Sequence, residues 1–252
     1  MAKNILAIDL STSGVRLSVS KGGIITQDVQ HHFSSAQDYK VKEQLKDFVH
    51  DNGFKQMDLD DVALSWSHIQ STLVPMNVFN DSSKEAIHQL CYGYLPTGID
   101  LDFNRLPQHS MVNVYGISDW VKMFFVMNFP RVVMQHEGTL ILRQLFTQSS
   151  LKPKAVVSIH KQHFLFALVQ NNDLKYYNYF EFTNAEDLLY YIGFALQQMH
   201  IQPTDVELLL NEGQGCELDL NQVKTYYTKL YQPKTDVQSV QHYLTKALEL
   251  CV

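Results

Sequence analysis

Short apolar runs and one amphipathic helix recur twice along this chain, in the same order. In the first copy, apolar positions that alternate with polar ones or run together predict three successive strands, with a paired-glycine turn at Gly22 and Gly23 between the second and the third. A helix and a fourth strand follow. The predicted elements lie at about residues 5–10, 15–20, 24–29, 41–49 and 62–66. The order is therefore strand, strand, strand, helix, strand.

The second copy begins near residue 155 and keeps that order at similar spacing. Its strands are predicted at residues 155–160, 164–169, 176–182 and 206–210, with a helix at residues 185–199. Thr183 and Glu186 have the spacing of a capping box ahead of this helix. The repetition predicts an α/β protein built from two similar lobes.

The segment between the copies, residues 71–135, is predicted as a small α/β subdomain inserted into the first lobe. Ser82 and Glu85 fit a capping box at the start of a helix within it. Pro153, with a lysine on each side, marks the predicted boundary between the lobes. The predicted domains are residues 1–152, which include the insertion, and residues 153–252.

Composition and charge exclude several classes of protein. The 252 residues are 45% hydrophobic and 18% charged, as in a globular protein. A net charge of −6 provides no global basic field for nucleic acid. No apolar run approaches the roughly 20 residues of a transmembrane segment, and the amino-terminal run is too short for a signal peptide. Three widely spaced cysteines fit neither a disulfide framework nor a metal knuckle, so we expect a cytoplasmic protein with reduced thiols.

The duplicated unit resembles the ribonuclease H-like layout, and a tandem pair of such units resembles the actin-like ATPase superfamily (actin, sugar kinases and heat-shock ATPases). The aromatic run at residues 176–182, the following residues 186–191 and the strand at residues 206–210 with its glycine turn resemble the DUF3822 family of uncharacterised bacterial proteins. That family is regarded as actin-like and has no assigned activity. Residues 114–134 are similar in layout to the small subdomain of actin-like proteins that assemble type IV pili. The resemblance implies two ribonuclease H-like lobes in tandem, with mixed sheets flanked by helices.

The resemblance also implies an ATP site between the lobes. In such proteins a hairpin turn offers backbone N–H groups and a hydroxyl to the phosphates, and an aspartate organises metal and water. In this sequence Asp9 matches the acid, Thr12 the hydroxyl and Arg16 the basic position. Ser11 replaces the glycine that lets the phosphate approach. These four residues are our candidates for one half of a degenerate nucleotide site.

The second phosphate motif matches the family less well. Residues 158–163 contain neither a carboxylate nor a glycine, although Lys161 has a charge suited to an anion. The adenosine turn remains in part, with Gly213 and Gly215. Because the acid that orients attacking water is missing, we predict that hydrolysis is lost, with no catalytic residue. No cofactor is predicted, and binding of ATP with Mg²⁺ stays open.

Other chemistries have less support. The tightest histidine groupings are His31 with His32 and His160 with His163, but structural zinc sites usually need four converging ligands and no cysteine is near either pair. We therefore predict surface or hairpin histidines and no metal site. A ribonuclease H-type nuclease needs several carboxylates around two metal ions, and only Asp9 lies on the expected strand.

The sequence thus predicts an actin-like pseudo-ATPase that acts as a protein-binding or scaffold module. Its protein partner is unidentified, and a homodimer stays open. The alternative is a nucleotide-dependent enzyme, either an ATPase or a small-molecule kinase, that uses Asp9, Thr12 and the Gly213 turn in an interlobe cleft. The aromatic run at residues 176–182 is explained by a strand covered on both faces, whereas one exposed row would be a protein-binding surface.

Overall fold

The computed structural model describes residues 2–35, 37–95, 97–147 and 151–252, which form two compact units. Unit 1 comprises Met1–Leu140 and Leu244–Val252, and unit 2 comprises Ile141–Tyr243. The boundary between the units, at Leu140 and Ile141, lies before the predicted boundary at Pro153. The carboxyl-terminal residues Leu244–Val252 belong to unit 1. The difference arises because a helix that begins in unit 1 continues into unit 2, whereas the sequence marks the proline that follows this helix.

Unit 1 has a five-stranded mixed sheet and an inserted smaller sheet. Its elements are β1 (Asn4–Leu10), β2 (Gly14–Lys21), β3 (Ile24–His32), α1 (Asp38–Asp51), β4 (Asp61–Trp66), β5 (Ser71–Pro75), α2 (Lys84–Tyr92), β6 (Ile99–Leu106), β7 (Met111–Ser118), α3 (Asp119–Asn128), β8 (Val132–His136) and α4 (Glu137–Thr147), the helix that continues into unit 2. The main sheet has the order β3-β2-β1-β4-β8. β2 runs antiparallel to β1 and β3, while β4 is parallel to β1 and β8.

Unit 2 repeats this sheet. Its elements are β9 (Lys154–Ile159), β10 (His163–Gln170), β11 (Asp173–Glu181), α5 (Ala185–Gln198), β12 (Glu207–Glu212), α6 (Leu220–Tyr231) and β13 (Gln238–Val240), and α7 (Tyr243–Glu249) begins at its last residue. The order β11-β10-β9-β12-β13 and the strand directions are those of unit 1. Among the described residues, none forms a helix with the length and apolar content needed to cross a membrane.

The first hairpins of the two units match residue by residue. The backbone N–H of Ser11 donates to the carbonyl of Gly14 at 2.9 Å, and the N–H of His160 donates to the carbonyl of His163 at 2.8 Å. Both bonds close a two-residue turn directly after the first strand of the sheet. His160 is therefore the counterpart of Ser11.

The fourth strands match in the same way. The N–H of Ser67, just after β4, donates to the carbonyl of Leu10 at 2.9 Å. The N–H of Gly213, just after β12, donates to the carbonyl of Ile159 at 2.8 Å. Gly213 is therefore the counterpart of Ser67.

Even an irregularity is repeated. β3 has one extra residue, Thr26, relative to β2, and β11 has one extra residue, Lys175, relative to β10. Such bulges bend a strand and increase its twist. Shared order, direction, turn and bulge confirm the predicted pair of ribonuclease H-like lobes.

Each main sheet has one apolar face. In unit 1, Leu6, Ile8 and Leu10 are fully buried on the face that packs against α1 and α3. The corresponding face of unit 2 packs against α5 and α6. Because side chains alternate along a strand, Asp9 faces the opposite side from its apolar neighbours. Burial of each large aliphatic side chain contributes about 1.5–3 kcal/mol, so these two cores fix the strands that carry the candidate site.

The inserted subdomain is shorter than predicted. Its antiparallel sheet has the order β5-β7-β6 and ends at Ser118. α3 belongs to the main core, where Val121 and Phe125 are fully buried, and β8 pairs with β4 in the main sheet. Residues 119–135 therefore complete unit 1 rather than the insertion. The helical period of α3 shows that it has an apolar face, but not which sheet that face covers.

The predicted capping boxes are displaced. In the insertion the box is formed by Asn80 and Ser83 around a short 3-10 turn that precedes α2, rather than by Ser82 and Glu85. Asn184 caps α5 by accepting the N–H of Asp187 at 2.9 Å. Both positions offer several short polar side chains in a row, and any of them can cap a helix.

Candidate functional site

The turn between β1 and β2 is closed by its own serines. Ser11 Oγ accepts the backbone N–H of Ser13 at 3.1 Å and lies 2.9 Å from Ser13 Oγ. Ser11 is buried, whereas Thr12 is exposed. A phosphate cradle requires converging backbone N–H groups, and here the N–H of Ser13 is already bonded to Ser11. One N–H of this turn is therefore already bonded to a serine of the turn itself.

Asp9 lies close to this turn, at the carboxyl end of β1, and is 5% exposed. In the sheet register it is opposite Arg16 on β2 and Ser65 on β4. The guanidinium of Arg16 donates to Gln30 Oε1 at 2.8 Å, and its Nε lies 3.9 Å from Asp28 Oδ1. The predicted residues of unit 1 thus lie together at one edge of the sheet, but the basic group is engaged by the neighbouring strand β3.

A second buried carboxylate lies at the same edge and was missed in the sequence. Glu137, the first residue of α4, is fully buried and accepts a hydrogen bond from Ser67 Oγ. β8 runs parallel to β4 and β1, so the residue after β8 lies at the edge where Asp9 is found. A helix N-terminus also favours negative charge. The signal that would have identified it is an acid placed between a predicted strand and a predicted helix.

The equivalent edge of unit 2 has no carboxylate in this position. Ser158 precedes Ile159 as Asp9 precedes Leu10, and is the counterpart of Asp9. Asn211 Nδ2 donates to Ser158 Oγ at 2.8 Å, and both residues are buried. A neutral hydroxyl–amide pair therefore replaces the acid.

The imidazole of His160 occupies the space beside Gly213. His160 is fully buried, its Nδ1 lies 3.4 Å from the carbonyl oxygen of Gln214, and its ring stacks on that of His163 with centroids 4.8 Å apart. A Cβ on Gly213 would lie 2.5 Å from Cε1 of His160. Of the two predicted settings, surface or hairpin, His160 has the hairpin one, but its ring is buried rather than exposed. A glycine opposite it provides the space that the ring fills.

The remaining candidates of unit 2 lie in the same region. Lys161 Nζ lies 2.7 Å from Glu217 Oε1, so its charge is paired with an acidic side chain of unit 2 at the surface. Gly213 and Gly215 are in the connection between β12 and α6, and Gly215 has a φ of +74°, which glycine adopts readily. Unit 2 thus brings Lys161 and both glycines close to the ring of His160.

A buried polar network connects the insertion to the start of α4. Asn113 Oδ1 accepts from Ser71 Oγ at 2.7 Å, and Asn113 Nδ2 donates to Thr139 Oγ1 at 3.0 Å. The same Nδ2 lies 3.2 Å from His136 Nδ1, and the backbone N–H of His136 donates to Asn104 Oδ1 at 2.7 Å. All five residues are buried. Satisfied networks of this kind fix the relative placement of the elements that they join.

The hydrogen bonds define the tautomer of His136. The N–H of Gly138 donates to His136 Nδ1 at 3.1 Å, so Nδ1 is an acceptor and Nε2 carries the proton. Nε2 then donates to the carbonyl of His68 at 3.0 Å. The network therefore extends to the segment that follows β4, next to Ser67.

His68 should make folding sensitive to acid. Burial lowers the pKa of His68 from 6.5 to about 4, and repulsion from His88 adds to this effect. A hydrogen bond with the backbone of Gln70 acts in the opposite direction and raises the pKa, but it is the smaller effect. Between these values the unfolded chain binds a proton on His68 that the folded chain does not, so the free energy of unfolding falls as the pH falls from 6.5 to 4. We expect a loss of roughly 2 kcal/mol, measured by urea denaturation.

His68→Asn is the matched control, because its amide oxygen retains an acceptor for the N–H of Gln70 without titrating. The variant should lose less stability than the wild type over the same pH interval. Equal losses in both proteins would show that other groups cause the acid sensitivity.

The structure offers little support for metal or thiol chemistry. Within the described ranges, His, Cys, Asp and Glu side chains form no group of three or more that could hold a metal ion. Burial, the main cause, raises the pKa of the Cys216 thiol to about 11. The thiolate is the nucleophilic form, so a raised pKa disfavours nucleophilic chemistry at Cys216 at neutral pH.

Comparison with protein families gives one match over most of the chain. The model described as "Protein of unknown function (DUF3822)" matches residues 1–232. The predicted resemblance to this family is confirmed. No curated protein matches the sequence.

Solved structures support the fold. A Bacteroides thetaiotaomicron protein of unknown function with an actin-like ATPase fold matches with a TM-score of 0.84 at 18% identity, covering 99% of this chain and 96% of that chain. A chain of the PilM–PilN type IV pilus biogenesis complex matches with a TM-score of 0.57 at 11% identity, covering 97% of this chain and 89% of that chain. At these identities the comparisons concern the fold alone, and they confirm the predicted actin-like architecture.

Proposed function

Since the chain belongs to the DUF3822 family of proteins of unknown function and has an actin-like ATPase fold, we propose that it is a cytoplasmic pseudo-ATPase that acts as a protein-binding or scaffold module. The observation that carries this proposal is the difference between two equivalent sheet edges. Unit 1 has Asp9 where unit 2 has Ser158, which is bonded to Asn211. A nucleotide phosphate with its metal requires an acidic group at the end of the first strand, and unit 2 has none at that position.

Two further contacts in unit 2 support the loss of nucleotide chemistry. The ring of His160 fills the space beside Gly213, in the turn that the family resemblance assigns to adenosine. Lys161, the residue suited to a phosphate, is paired with Glu217. The residues present therefore do not fit ATP with Mg²⁺ at this turn.

The protein-binding part of the proposal rests on the fold. One structure that shares it is a complex of two proteins, PilM and PilN, in type IV pilus biogenesis. A duplicated scaffold in which one sheet edge is filled by its own side chains is suited to recognition rather than turnover. In-cell cross-linking of the tagged chain in its own host should give a defined protein partner that the purified chain then binds directly. A chain that binds none of its cross-linked proteins once purified contradicts this part.

The alternative, a nucleotide-dependent enzyme, is favoured by one observation in unit 1. Asp9 and Glu137 are both buried carboxylates at the same edge of the main sheet. Carboxylates placed in this way are candidates for organising a metal ion and a water molecule. The enzyme hypothesis requires the carboxylate of Asp9, whereas the pseudo-ATPase hypothesis does not, so substitution of Asp9 distinguishes the two functions.

Isothermal titration calorimetry with Mg-ATP, followed by a phosphate-release assay, tests the proposal. We expect no heat of binding, and phosphate release no faster than for the Asp9→Ala variant. Asp9→Asn, which keeps the shape of the buried side chain, controls for damage to the fold. Turnover by the wild type that disappears in Asp9→Ala and in Asp9→Asn would overturn the pseudo-ATPase proposal in favour of the enzyme.

A further inference from the structure

A cavity of about 280 Å³ lies in unit 1, at the end of the sheet where β4 begins and α3 ends. Its apolar lining comes from the connection before β4 and the connection after α3. Phe54 and Phe129 in this lining are buried parts of the core, whereas Met57 and Leu59 are half-buried. Pockets that enclose a drug-sized ligand have roughly 300–1,000 Å³. This cavity is smaller, and its size suits one or two apolar side chains rather than a cofactor.

The last turns of α3 expose an apolar ridge that leads to this cavity. Met123 is 57%, Val126 50% and Met127 82% exposed. Their spacing of three and four residues places them on one face of the helix, and we call these three residues the α3 ridge. Asn128, the last residue of α3, lines the cavity. A contiguous exposed apolar surface of this kind marks an interaction site, and flexible methionines are common at surfaces that bind proteins.

Two cationic side chains lie in the lining of the cavity. Lys55 belongs to the connection before β4 and Arg131 to the connection after α3, and both are exposed. No described side chain forms an ion pair or a hydrogen bond with either of them. Each half of the apolar lining is therefore accompanied by a cation without a partner in the described ranges.

The acidic residues of the same region are engaged elsewhere. Asp60, the acid of the lining, accepts the backbone N–H of Asn4 on its Oδ2 at 2.8 Å. Asp61 Oδ2 lies 2.7 Å from Lys3 Nζ. Asp58 is not part of the lining. The lining therefore has two cations and one acid, and an incoming negative charge meets a positive surplus.

We propose that the cavity, its two cations and the α3 ridge together dock a short acidic segment of a partner protein. One or two apolar side chains of the segment enter the cavity, and neighbouring Asp or Glu side chains pair with Lys55 and Arg131. Further apolar side chains of the segment cover the α3 ridge. This docking site rests on the protein-binding function proposed above, and it adds the location of the site and the charge of the partner.

Charge favours an acidic segment over the other occupants. A chain with a net charge of −6 is poorly suited to an anionic membrane, whereas a short segment within a Debye length of the cavity meets the local cations. A second copy docked through the same surface would bring Lys55 and Arg131 close to the same two cations of its partner, because an isologous contact uses one patch twice. In the proposed complex, apolar burial supplies affinity and the charges at the rim supply specificity.

Selection from a phage-displayed library of random peptides on the purified full-length chain tests the proposal. The enriched peptides should combine apolar anchors with Asp or Glu. In fluorescence anisotropy with these peptides, Lys55→Glu/Arg131→Glu and Met127→Glu should each weaken binding roughly 10- to 100-fold. All three side chains are exposed, so thermal denaturation should show an intact fold. Lys42→Glu on α1 and Lys229→Glu on α6 are exposed control reversals that should leave binding unchanged.

Reversing the charges on both sides gives the sharpest result. Peptides with Lys in place of each Asp and Glu should bind the Lys55→Glu/Arg131→Glu variant more tightly than the wild type. The proposal is overturned by a selection without binders, by binders that lack acidic residues, or by acidic binders that are indifferent to the reversal. Binding of the wild type to phosphatidylglycerol vesicles, or its dimerisation, would also overturn the proposal if Met127→Glu abolished it.

The cross-linked host partner separates this site from the proposed function. A partner that binds the wild type and the Lys55→Glu/Arg131→Glu variant equally well removes the docking site but leaves the protein-binding function in place. Turnover of Mg-ATP that depends on Asp9 would overturn the pseudo-ATPase function and leave peptide binding at the cavity unchanged. The two failures therefore give different results.

Discussion

Replacing Gly213 with alanine is expected to lower the free energy of unfolding by about 1–3 kcal/mol. The new Cβ would lie 2.5 Å from Cε1, 2.6 Å from Nδ1 and 2.7 Å from Nε2 of His160, all far inside van der Waals contact. His160 is fully buried, so its ring has no open space into which to move. Urea denaturation followed by circular dichroism measures the loss.

A double-mutant cycle separates this clash from any general effect of alanine. His160→Ala removes the ring and will itself cost stability, because it leaves a cavity. Gly213→Ala placed in the His160→Ala background should then cost far less than in the wild type. Additive effects of the two substitutions would mean that the ring and the glycine do not interact, contrary to the structure.

Asn113→Ala is expected to have a similar or larger effect, a loss of about 2–5 kcal/mol in the free energy of unfolding. The substitution removes the acceptor of Ser71 Oγ and the donor to Thr139 Oγ1, and also the amide next to His136 Nδ1. These partners are themselves buried, so the polar atoms lose hydrogen bonds without gaining water. Thermal and urea denaturation provide the measurement.

Asn77→Ala is the matched control for this prediction. Asn77 belongs to the same insertion but is exposed, and such substitutions usually change stability by less than about 0.5 kcal/mol. If Asn113→Ala were as mild as Asn77→Ala, the network would not hold the insertion sheet to the start of α4.

The repeated architecture could be predicted because its signals are local. Val15, Leu17 and Val19 alternate with polar residues, and the glycines at 22 and 23 turn the chain back. The first hairpin can therefore be predicted from residues that are neighbours in the sequence. β13 could not be found, since its three residues, Gln238–Val240, are too short for any period to show. The end of the insertion was also misplaced, because periodicity does not state which sheet a helix covers.

The candidate site shows the same limit. Asp9, Thr12 and Arg16 are close together in sequence and could be found by motif, and the register places Asp9 opposite Arg16. Glu137 follows β8, a strand brought beside β4 only by folding, so no spacing links it to Asp9. The burial of His160 depends on a glycine far away in the sequence. Both the position of Glu137 near Asp9 and the burial of His160 depend on contacts between residues that are far apart in the sequence.

One pair of equivalent positions is filled differently in the two units. Unit 1 has two small residues there, Ser11 and Ser67, whereas unit 2 has a bulky ring, His160, facing no side chain at all, Gly213. Because a Cβ at 213 and the imidazole at 160 exclude each other, residue 213 is restricted to glycine as long as the histidine is present. We therefore expect the two positions to covary among relatives of this chain, with a larger residue at 213 only where residue 160 is small.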